Sequence, residues 1–456
     1  MSCILGNFRE EGSIKIVAAK FEVALSTLAW LKYSVLTLAT VGLVLLGTRQ
    51  AAQAQTENVL FPFNGTTDGY SPVAGVVFGK GKILYGTTTY GGTVNAACPA
   101  GCGVVFSLKL SKGVWKEKAI YNFQGGSDGA FPYGTLAVDK SGNLYGTTLE
   151  GGAHNGGIGG AGTVYRVTPA GGETVLYSFA AYVNDGDGPF AGVVLDKEGN
   201  IYGTTISGGT SSNCSGGCGT AFELAQGTWA ETILYNFPGG TTGGCSSRTP
   251  LLFDKKGNLY GTNQACGPNG GGAAFELEAA DSWNYQILHA FSDASGSTDG
   301  DEPWGNLAFD KKGNLYGTTT AGGTIGSGTV YKLTPPSKNQ TNWTEQVIYN
   351  FGSVTDDALI PAGGVTINTK TGNLYGTSML GGTGGAGTVF ELTPPSATET
   401  EWTEQVLHSF SGFTTDGDNP DYSPITLDSA GDLYGTTIAG GSSTNAGYGT
   451  VFEVIP

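Results

Sequence analysis

The tripeptide Tyr-Gly-Thr occurs seven times between residues 85 and 436, and its spacing restricts the fold more than any other feature. The spacing from one tyrosine to the next is 56 to 60 residues, and the tyrosines are Tyr85, Tyr145, Tyr202, Tyr260, Tyr316, Tyr375 and Tyr434. A period of this length is typical of repeat architectures in which each unit buries an apolar face against its neighbours. We therefore expect one repeat body, not several unrelated domains.

Each unit has the pattern of a small antiparallel sheet. In order, it contains an Asp-Gly-x-x-Pro loop, an apolar stretch, an Asp-x-x-Gly-Asn turn, GNLYGTT, a Gly-Gly loop, GTVFEL and a Trp-led segment ending in LYxF. In the second copy this pattern predicts strands at 133–138, 143–148, 162–167 and 173–179. Four strands in each of seven copies predict an all-β fold, a seven-bladed β-propeller with four-stranded antiparallel blades.

Several recurrent residues are predicted to serve packing and turns. The glycine after each tyrosine is expected to let the next blade approach closely. A tryptophan precedes the phenylalanine of LYxF by eight residues in five copies, as in Trp115 and Phe123, and blade-to-blade packing is favoured over sugar binding. In the Asp-x-x-Gly-Asn turns, Asp is expected to cap the turn and Gly to supply a positive φ, with a calcium loop as the alternative.

The two ends of the repeat region suggest how the ring closes. Residues 57–63 match the LYxF strand alone, and the chain stops soon after the GTVFEL-like segment at 449–454. If LYxF is the outermost strand, the N-terminal strand completes the last blade and no strand edge is left unpaired. The alternative register, in which each blade starts with LYxF, stays open.

Residues 1–54 contain no repeat and differ from the propeller region at 55–456. Basic residues precede an uncharged run at 35–47, and the small-x-small triplet at 52–54 fits a signal-peptidase site. We expect an export signal, with an uncleaved N-terminal membrane anchor as the alternative. No hydrophobic or sorting tail follows the last repeat before Pro456, which favours secretion or retention through the N-terminus.

The charge of the propeller region limits its partners. Residues 55–456 carry 17 basic and 35 acidic residues, a net charge of −18. Nucleic acid and anionic membranes are therefore disfavoured, and we expect a soluble monomer that attracts cations more readily than anions.

The six cysteines of the propeller region predict disulfides, since an even count suits an oxidising compartment. Two pairs lie within Gly-rich loops, which predicts Cys98–Cys102 and Cys214–Cys218. A four-thiolate zinc site is disfavoured because an entire blade separates these loops.

The Asp-Gly-x-x-Pro and Gly-Gly loops are expected on one face, and its aspartates form a candidate binding face. Six copies place Asp four residues before Pro, namely Asp68, Asp128, Asp185, Asp299, Asp357 and Asp416. The fourth copy has Ser246 there and Cys266 at the first position of its Gly-Gly pair, which predicts a Cys245–Cys266 disulfide. In the other copies we expect the Asp carboxylate to accept backbone N–H groups from the glycine loop.

Three of these loops contain an Asp-Gly-Asp pair, whose hard oxygens suit calcium. The pairs are Asp185 with Asp187, Asp299 with Asp301, and Asp416 with Asp418. A turn without metal is the favoured interpretation, and no other cofactor is expected.

No catalytic constellation is present in the sequence. His289 and His408 replace a tyrosine of the LYxF strand, and His154 lies in a Gly-rich loop with no recognisable partner. Nucleophile-elbow, metalloprotease and phosphate-loop motifs are missing.

The recurring order GNLYGTT, Gly-Gly, GTVFELTP, LYxF and Asp-Gly-x-x-Pro over residues 57–456 closely resembles the GloVer tandem repeat of bacterial choice-of-anchor exported proteins. A looser likeness to NHL-type propellers supports the strand register. The resemblance implies an exported, surface-associated protein, located in the periplasm, at the cell surface or outside the cell. It brings no catalytic residues.

Two classes of function fit this sequence. The favoured one is a non-enzymatic binding or surface-interaction module that presents the Asp/Gly face to a carbohydrate, a cation or a protein. The alternative is a propeller-type hydrolase or lyase that uses acidic residues, with or without a metal.

Overall fold

Seven blades of four antiparallel strands make up the described part of the chain. The computed structural model describes residues 56–154, 159–180, 184–338, 340, 342–412, 416–441 and 447–456. Its helical content is two single 3-10 turns, Gly126–Asp128 and Ala279–Asp281. In these ranges no helix is long and apolar enough to cross a membrane. The expected export signal at 1–54 lies outside the described residues.

The strands of each blade run outward from the centre in chain order. Blade 1 contains Val77–Phe78, Leu84–Thr88, Val104–Ser111 and Val114–Asn122. Blade 2 contains Ala137–Val138, Leu144–Thr148, Thr163–Val167 and Glu173–Ser178. Blade 3 contains Val194–Leu195, Ile201–Thr204, Thr220–Leu224 and Glu231–Asn236. Blade 4 contains Leu252–Phe253, Leu259–Asn263, Gly270–Glu278 and Asn284–Ser292.

The remaining three blades follow the same order. Blade 5 contains Gly300–Phe309, Leu315–Gly322, Thr329–Thr334 and Thr344–Asn350. Blade 6 contains Val365–Ile367, Leu374–Ser378, Thr388–Thr393 and Thr403–Ser409. Blade 7 contains Thr426–Leu427, Leu433–Thr437, Thr450–Ile455 and, as its outer strand, Thr56–Pro62.

The N-terminal strand closes the ring, as the sequence predicted. Thr56–Pro62 pairs antiparallel with Thr450–Ile455, with a bulge between Val59 and Phe61. The alternative register, in which each blade begins with LYxF, is therefore wrong. This pairing fixes the outer edge of blade 7 and makes the first and last segments one sheet.

Aromatic pairs hold each blade to the next. The phenylalanine that ends LYxF meets the aromatic residue of GTVFEL in the following blade, as in Phe179 with Phe222 at 5.1 Å between ring centroids. The same contact recurs at all seven interfaces, including Phe63 with Phe106 at 5.2 Å across the closure. The LYxF-linked tryptophans also pack between blades, since Trp283 lies 5.9 Å from Tyr202 of the preceding blade. Their predicted packing role is confirmed.

The glycine of Tyr-Gly-Thr serves packing inside its own blade, and the predicted approach of the next blade is wrong. Gly203 lies opposite Phe222 on the neighbouring strand of blade 3. A Cβ placed on Gly203 would lie 2.6 Å from that ring. The glycine therefore makes room for the ring that the preceding blade contacts from its other side.

The Asp-x-x-Gly-Asn turns have the predicted hairpin chemistry. In the first of them, the Asp139 carboxylate accepts the N–H groups of Ser141 and Asn143 at 2.8 and 2.9 Å. Gly142 has a φ of 91°, the conformation that the turn requires and glycine supplies without strain.

The Asp-Gly-x-x-Pro and Gly-Gly loops of one blade lie together on one face, as expected. Two-residue strands join them in four blades, namely Gly186–Asp187 with Ser207–Gly208, Gly244–Cys245 with Ala265–Cys266, Ala358–Leu359 with Leu380–Gly381, and Gly417–Asp418 with Ala439–Gly440. The contact uses the Asp main chain, so the prediction that the carboxylate bonds to the glycine loop is wrong. Gly209 donates its N–H to the Asp185 carbonyl oxygen at 2.7 Å, because the Asp185 side chain turns towards the outer strand instead.

All three predicted disulfides are present. Cys245 and Cys266 join the two loops of blade 4, with 5.5 Å between their Cα atoms. Cys98–Cys102 and Cys214–Cys218 each crosslink one Gly-rich loop.

The fourth copy aligns differently from the sequence interpretation. Strand pairing equates Gly244 with Gly186, which places Gly243, not Ser246, at the aspartate position. Counting from Pro250 misplaced it because the proline of this copy stands three residues late.

Candidate functional site

Side chains from six blades meet at one equivalent position in the centre of the ring, which we call the mouth position. Twelve residues separate it from the Tyr-Gly-Thr tyrosine in six copies and thirteen in copy 6. Its occupants are Val73, Tyr133, Phe190, Arg248, Trp304, Ala362 and Tyr422. All except Val73 line one small cavity. Since this position follows directly after the Asp-Gly loop, the cavity lies at the end of the channel nearest the two-loop face.

Aromatic rings surround a single guanidinium at the mouth position. The Arg248 guanidinium carbon lies 5.0 Å from the ring centroids of both Phe190 and Trp304. Tyr422 packs on Trp304 at 4.5 Å between centroids, and Tyr133 stacks on Phe190 at 4.9 Å. Cation–π contacts of this kind contribute about 0.5–2 kcal/mol each and favour one orientation of the guanidinium.

No carboxylate neutralises this cation within the described residues. The ion pairs found there involve only His289 and His408. The Arg248 Nε atom is buried without a hydrogen-bond partner. A donor that is unpaired in the protein is available to a ligand.

The channel beneath these side chains is almost closed. The cavity at the mouth position measures about 30 Å³. Neighbouring inner strands touch through glycines, and a Cβ on Gly134 would lie 2.4 Å from the Gly192 nitrogen. Tyr133, Arg248, Trp304 and Tyr422 are all partly exposed above this closure. A ligand would therefore lie across the side chains and not inside the channel.

A second group of aromatic residues extends the same surface over blades 7, 1 and 2. Tyr70 stacks on Tyr90 at 5.3 Å and meets the edge of Tyr448 at 5.8 Å, while Tyr90 lies 5.3 Å from Phe131. Burial, and next a hydrogen bond with Tyr90, raise the pKa of Tyr133, which links the two groups. We call the whole set the aromatic surface; it consists of Tyr70, Tyr90, Phe131, Tyr133, Phe190, Arg248, Trp304, Tyr422 and Tyr448.

The six aspartates of the candidate binding face point into the blade interfaces. Five accept the N–H of the residue that follows the LYxF phenylalanine, and these are Asp68, Asp128, Asp185, Asp357 and Asp416. Asp299 instead accepts the N–H of Gly300 at 2.8 Å and bonds to His289. Asp68 is 6% and Asp357 3% exposed. These carboxylates therefore anchor the loop to the outer strand, and ligand binding by them stays a prediction.

Each of these aspartates belongs to a group of side chains that we call a rim cluster. A Tyr or His of one outer strand, the Asp, and a Glu of the next outer strand meet, as do Tyr121, Asp128 and Glu173. The Tyr121 hydroxyl donates to Asp128 at 2.7 Å. Burial, and next the charge of Asp128, raise the pKa of Glu173 to about 7.

Two interfaces depart from this pattern in instructive ways. Phe61 replaces the Tyr at the closure and has no hydroxyl, so the buried Asp68 Oδ1 has no hydrogen-bond partner. Between blades 3 and 4 the Asp and Glu are replaced, and Tyr235 stacks on Tyr285 at 4.7 Å with an interplanar angle of 8°.

The second aspartate of each Asp-Gly-Asp pair lies near other negative charge. Burial raises the pKa of Asp187 and of Asp418, and the preceding aspartate adds to both shifts. For Asp301 burial acts first and Glu302 next. In the described residues no Asp-Gly-Asp pair joins a third ligand as a pair, and calcium binding there stays a prediction.

Seven blades around a closed centre, with a partly exposed aromatic surface on the two-loop face, define a β-propeller of the binding-surface type. The chain belongs to the Gloeobacter/Verrucomicrobia repeat family, whose model matches residues 46–213 and 155–369. A search of curated proteins found no match.

Solved structures share the fold at low sequence identity. A fungal alcohol oxidase in complex with copper has a TM-score of 0.55 and 14% identity, over 88% of this chain and 76% of that one. A gluconolactonase from Xanthomonas campestris has a TM-score of 0.39 and 15% identity, over 73% and 87%. A putative 6-phosphogluconolactonase from Bacteroides uniformis has a TM-score of 0.44 and 14% identity, over 73% and 84%. At these identities the likeness concerns the fold alone.

Sequence reasoning missed both the mouth position and the rim clusters. Counting back twelve residues from each Tyr-Gly-Thr finds the mouth position in all but copy 6, and shows that its residue type varies while its surroundings repeat. The rim clusters also left a signal, since the single copy without the Asp also has Tyr285 in place of the glutamate.

Proposed function

We propose that this protein is a non-enzymatic carbohydrate-binding protein that acts outside the cytoplasm and holds a neutral sugar polymer on the aromatic surface. The observation that carries this proposal is the mouth position, where Trp304, Phe190 and Tyr422 surround the unpaired Arg248. The three disulfides support an oxidising compartment.

The surface has the chemistry that a sugar ring needs. The C–H groups on the face of a pyranose pack on aromatic rings, and its hydroxyl groups need donors and acceptors beside those rings. Tyr133 and Tyr422 supply hydroxyls, and Arg248 supplies several N–H donors in a fixed plane. Partial exposure of these side chains leaves their faces accessible.

Charge argues for a neutral ligand. The net charge of −18 on residues 55–456 repels polyanions. The Arg248 guanidinium then serves as a hydrogen-bond donor to hydroxyl oxygens, more than as the centre of an anion site.

The enzymatic alternative has less support. A cavity of about 30 Å³ holds on the order of one water molecule, whereas small-molecule pockets span about 300–1,000 Å³. In the part of the chain that the structure describes, no carboxylate or imidazole lines this cavity.

Affinity electrophoresis through gels containing a neutral β-glucan, xylan, mannan or polygalacturonate tests the proposal. We expect retardation by at least one neutral polymer and none by polygalacturonate. Trp304→Ala and Arg248→Gln should each weaken binding about tenfold, since one lost contact of this kind contributes on the order of 1 kcal/mol. Trp115→Ala, which removes a tryptophan at the rim, serves as the matched control and should leave binding unchanged.

Three results would contradict the proposal. They are no retardation by any polymer, retardation by polygalacturonate alone, and equal loss of binding in the Trp304→Ala variant and the Trp115→Ala control.

A further inference from the structure

Two rim clusters contain histidine in place of tyrosine, and each unites three side chains that are common metal ligands. His289, Asp299 and Glu345 meet between blades 4 and 5. His408, Asp416 and Glu57 meet between blades 6 and 7, where Glu57 lies on the closing strand. In each cluster the three ligand atoms lie within 4.8 Å of one another.

The geometry inside each cluster is well defined. His289 Nε2 lies 3.0 and 3.2 Å from the two carboxylate oxygens of Asp299. His408 Nε2 lies 3.2 Å from Asp416 Oδ1. Side-chain exposure is 22% for His289 and 20% for His408, so one side of each cluster is open to water.

Backbone groups hold the aspartates in place independently of the histidines. The N–H groups of Ser411 and Gly417 both donate to Asp416 at 2.7 Å, and Gly300 donates to Asp299 at 2.8 Å. Metal ligands oriented in this way lose little freedom when an ion binds.

Each cluster also contains a buried oxygen with no hydrogen-bond partner. Glu345 Oε1 and Glu57 Oε1 are inaccessible to solvent and accept no hydrogen bond. The equivalent glutamate oxygens at the tyrosine-containing interfaces are likewise unpartnered, as at Glu404. Only the two histidine clusters place an imidazole nitrogen beside this oxygen, and that combination points to a cation.

The donor set selects the kind of metal. One imidazole nitrogen and two carboxylate oxygens suit Zn²⁺ better than Ca²⁺, because Ca²⁺ takes oxygen ligands alone. Zinc needs ligands at about 2.0–2.2 Å and often completes a three-ligand site with water. The present separations require a contraction of each cluster, and the open side admits the water.

We propose that these two rim clusters are interblade Zn²⁺ sites, one between blades 4 and 5 and one at the closure of the ring. Each ion links the outer strands of adjacent blades. The second site fastens the N-terminal strand to blade 6 as well as to its own blade. This inference is independent of sugar binding.

Isothermal titration calorimetry with Zn²⁺, with metal content checked by mass spectrometry after desalting, tests the proposal. The full chain should bind two ions. His289→Tyr and His408→Tyr install the residue that other blades use, so the fold should persist while each variant loses one ion and the double variant loses both. His154→Ala removes the exposed third histidine and should still bind two.

A gain-of-site variant supplies a second readout. Tyr349→His creates the same triad with Asp357 and Glu404, and it should raise the stoichiometry to three. Zinc should also raise the melting temperature of the wild type but not that of the double variant. Absence of zinc binding by the wild type, or two ions still bound by the double variant, would overturn the proposal.

Discussion

At the scale of single residues, the glycine of Tyr-Gly-Thr is kept small by the aromatic ring opposite it. A Gly203→Ala change would place Cβ 2.6 Å from Phe222. We expect it to lower the free energy of unfolding by about 1–3 kcal/mol, the usual cost of overpacking a core. Denaturant unfolding measures this difference.

Gly172 offers the matched control for that experiment. It is exposed, and an added Cβ would meet only Thr168 Oγ1 at 3.2 Å. Gly172→Ala should leave the stability unchanged or slightly raised. Equal destabilisation by both substitutions would show that the ring opposite Gly203 is not the cause.

A second residue-scale prediction concerns pH. Burial, and next the charge of Asp357, raise the pKa of Glu404 to about 7. A raised pKa means that the folded state prefers the protonated acid. Its contribution to stability is thus complete below the unfolded value of about 4.5 and is lost as pH rises through about 7.

Glu404→Gln imitates the protonated acid at every pH. We expect this variant to exceed the wild type in unfolding free energy at pH 8 by about 1 kcal/mol, after allowance for solvent screening, and to match it at pH 5. Denaturant unfolding at both values measures the difference, with the exposed Glu198→Gln as control. A gain of the same size at pH 5 would contradict the assignment.

At the scale of structural elements, disulfides crosslink loops of very different length. Cys245 and Cys266 are 21 residues apart, whereas Cys214 and Cys218 are four apart. Replacing both cysteines of a pair by alanine should cost about 3 kcal/mol for the long loop and about 2 kcal/mol for the short one, because a longer loop loses more entropy on closure. Thermal unfolding of the two double variants checks this order, which a larger loss for the short loop would reverse.

The closing strand permits a direct test of how firmly the ring is shut. Phe63 is 2% exposed and meets Phe106 of blade 1, as Phe123 meets Tyr165 inside the ring. Phe63→Ala and Phe123→Ala should each cost about 3–5 kcal/mol in denaturant unfolding. A much smaller loss for Phe63→Ala would mean that the closure contributes little to stability.

Elements were more predictable from the sequence than contacts between them. Strand positions follow from alternating apolar residues and glycine-bounded turns, so the second-copy strands were predicted to within a few residues except for the innermost one. The pairing of Tyr121 with Asp128 and Glu173 was not predicted, because Glu173 comes from another blade. A contact across an interface leaves no local pattern, only the joint replacement seen at Tyr285.

At the scale of the whole molecule, symmetry is kept in the core and lost at the centre. The interblade Phe pairs recur at every interface, whereas the mouth position holds Val73, Arg248, Ala362 and four aromatic residues. Repeated packing is what makes a ring predictable from its period. A ligand has no such symmetry, so the residues that would bind it depart from the repeat, and aligning the fourth copy on Pro250 hid Arg248.

The most direct test of the account is a crystal structure of the protein in complex with a neutral oligosaccharide taken from the polymer it binds best. The account predicts a sugar ring stacked on Trp304 or Tyr422, with a hydroxyl oxygen accepting a hydrogen bond from Arg248. A sugar bound at the rim clusters, at the Asp-x-x-Gly-Asn turns or inside an opened channel would contradict it.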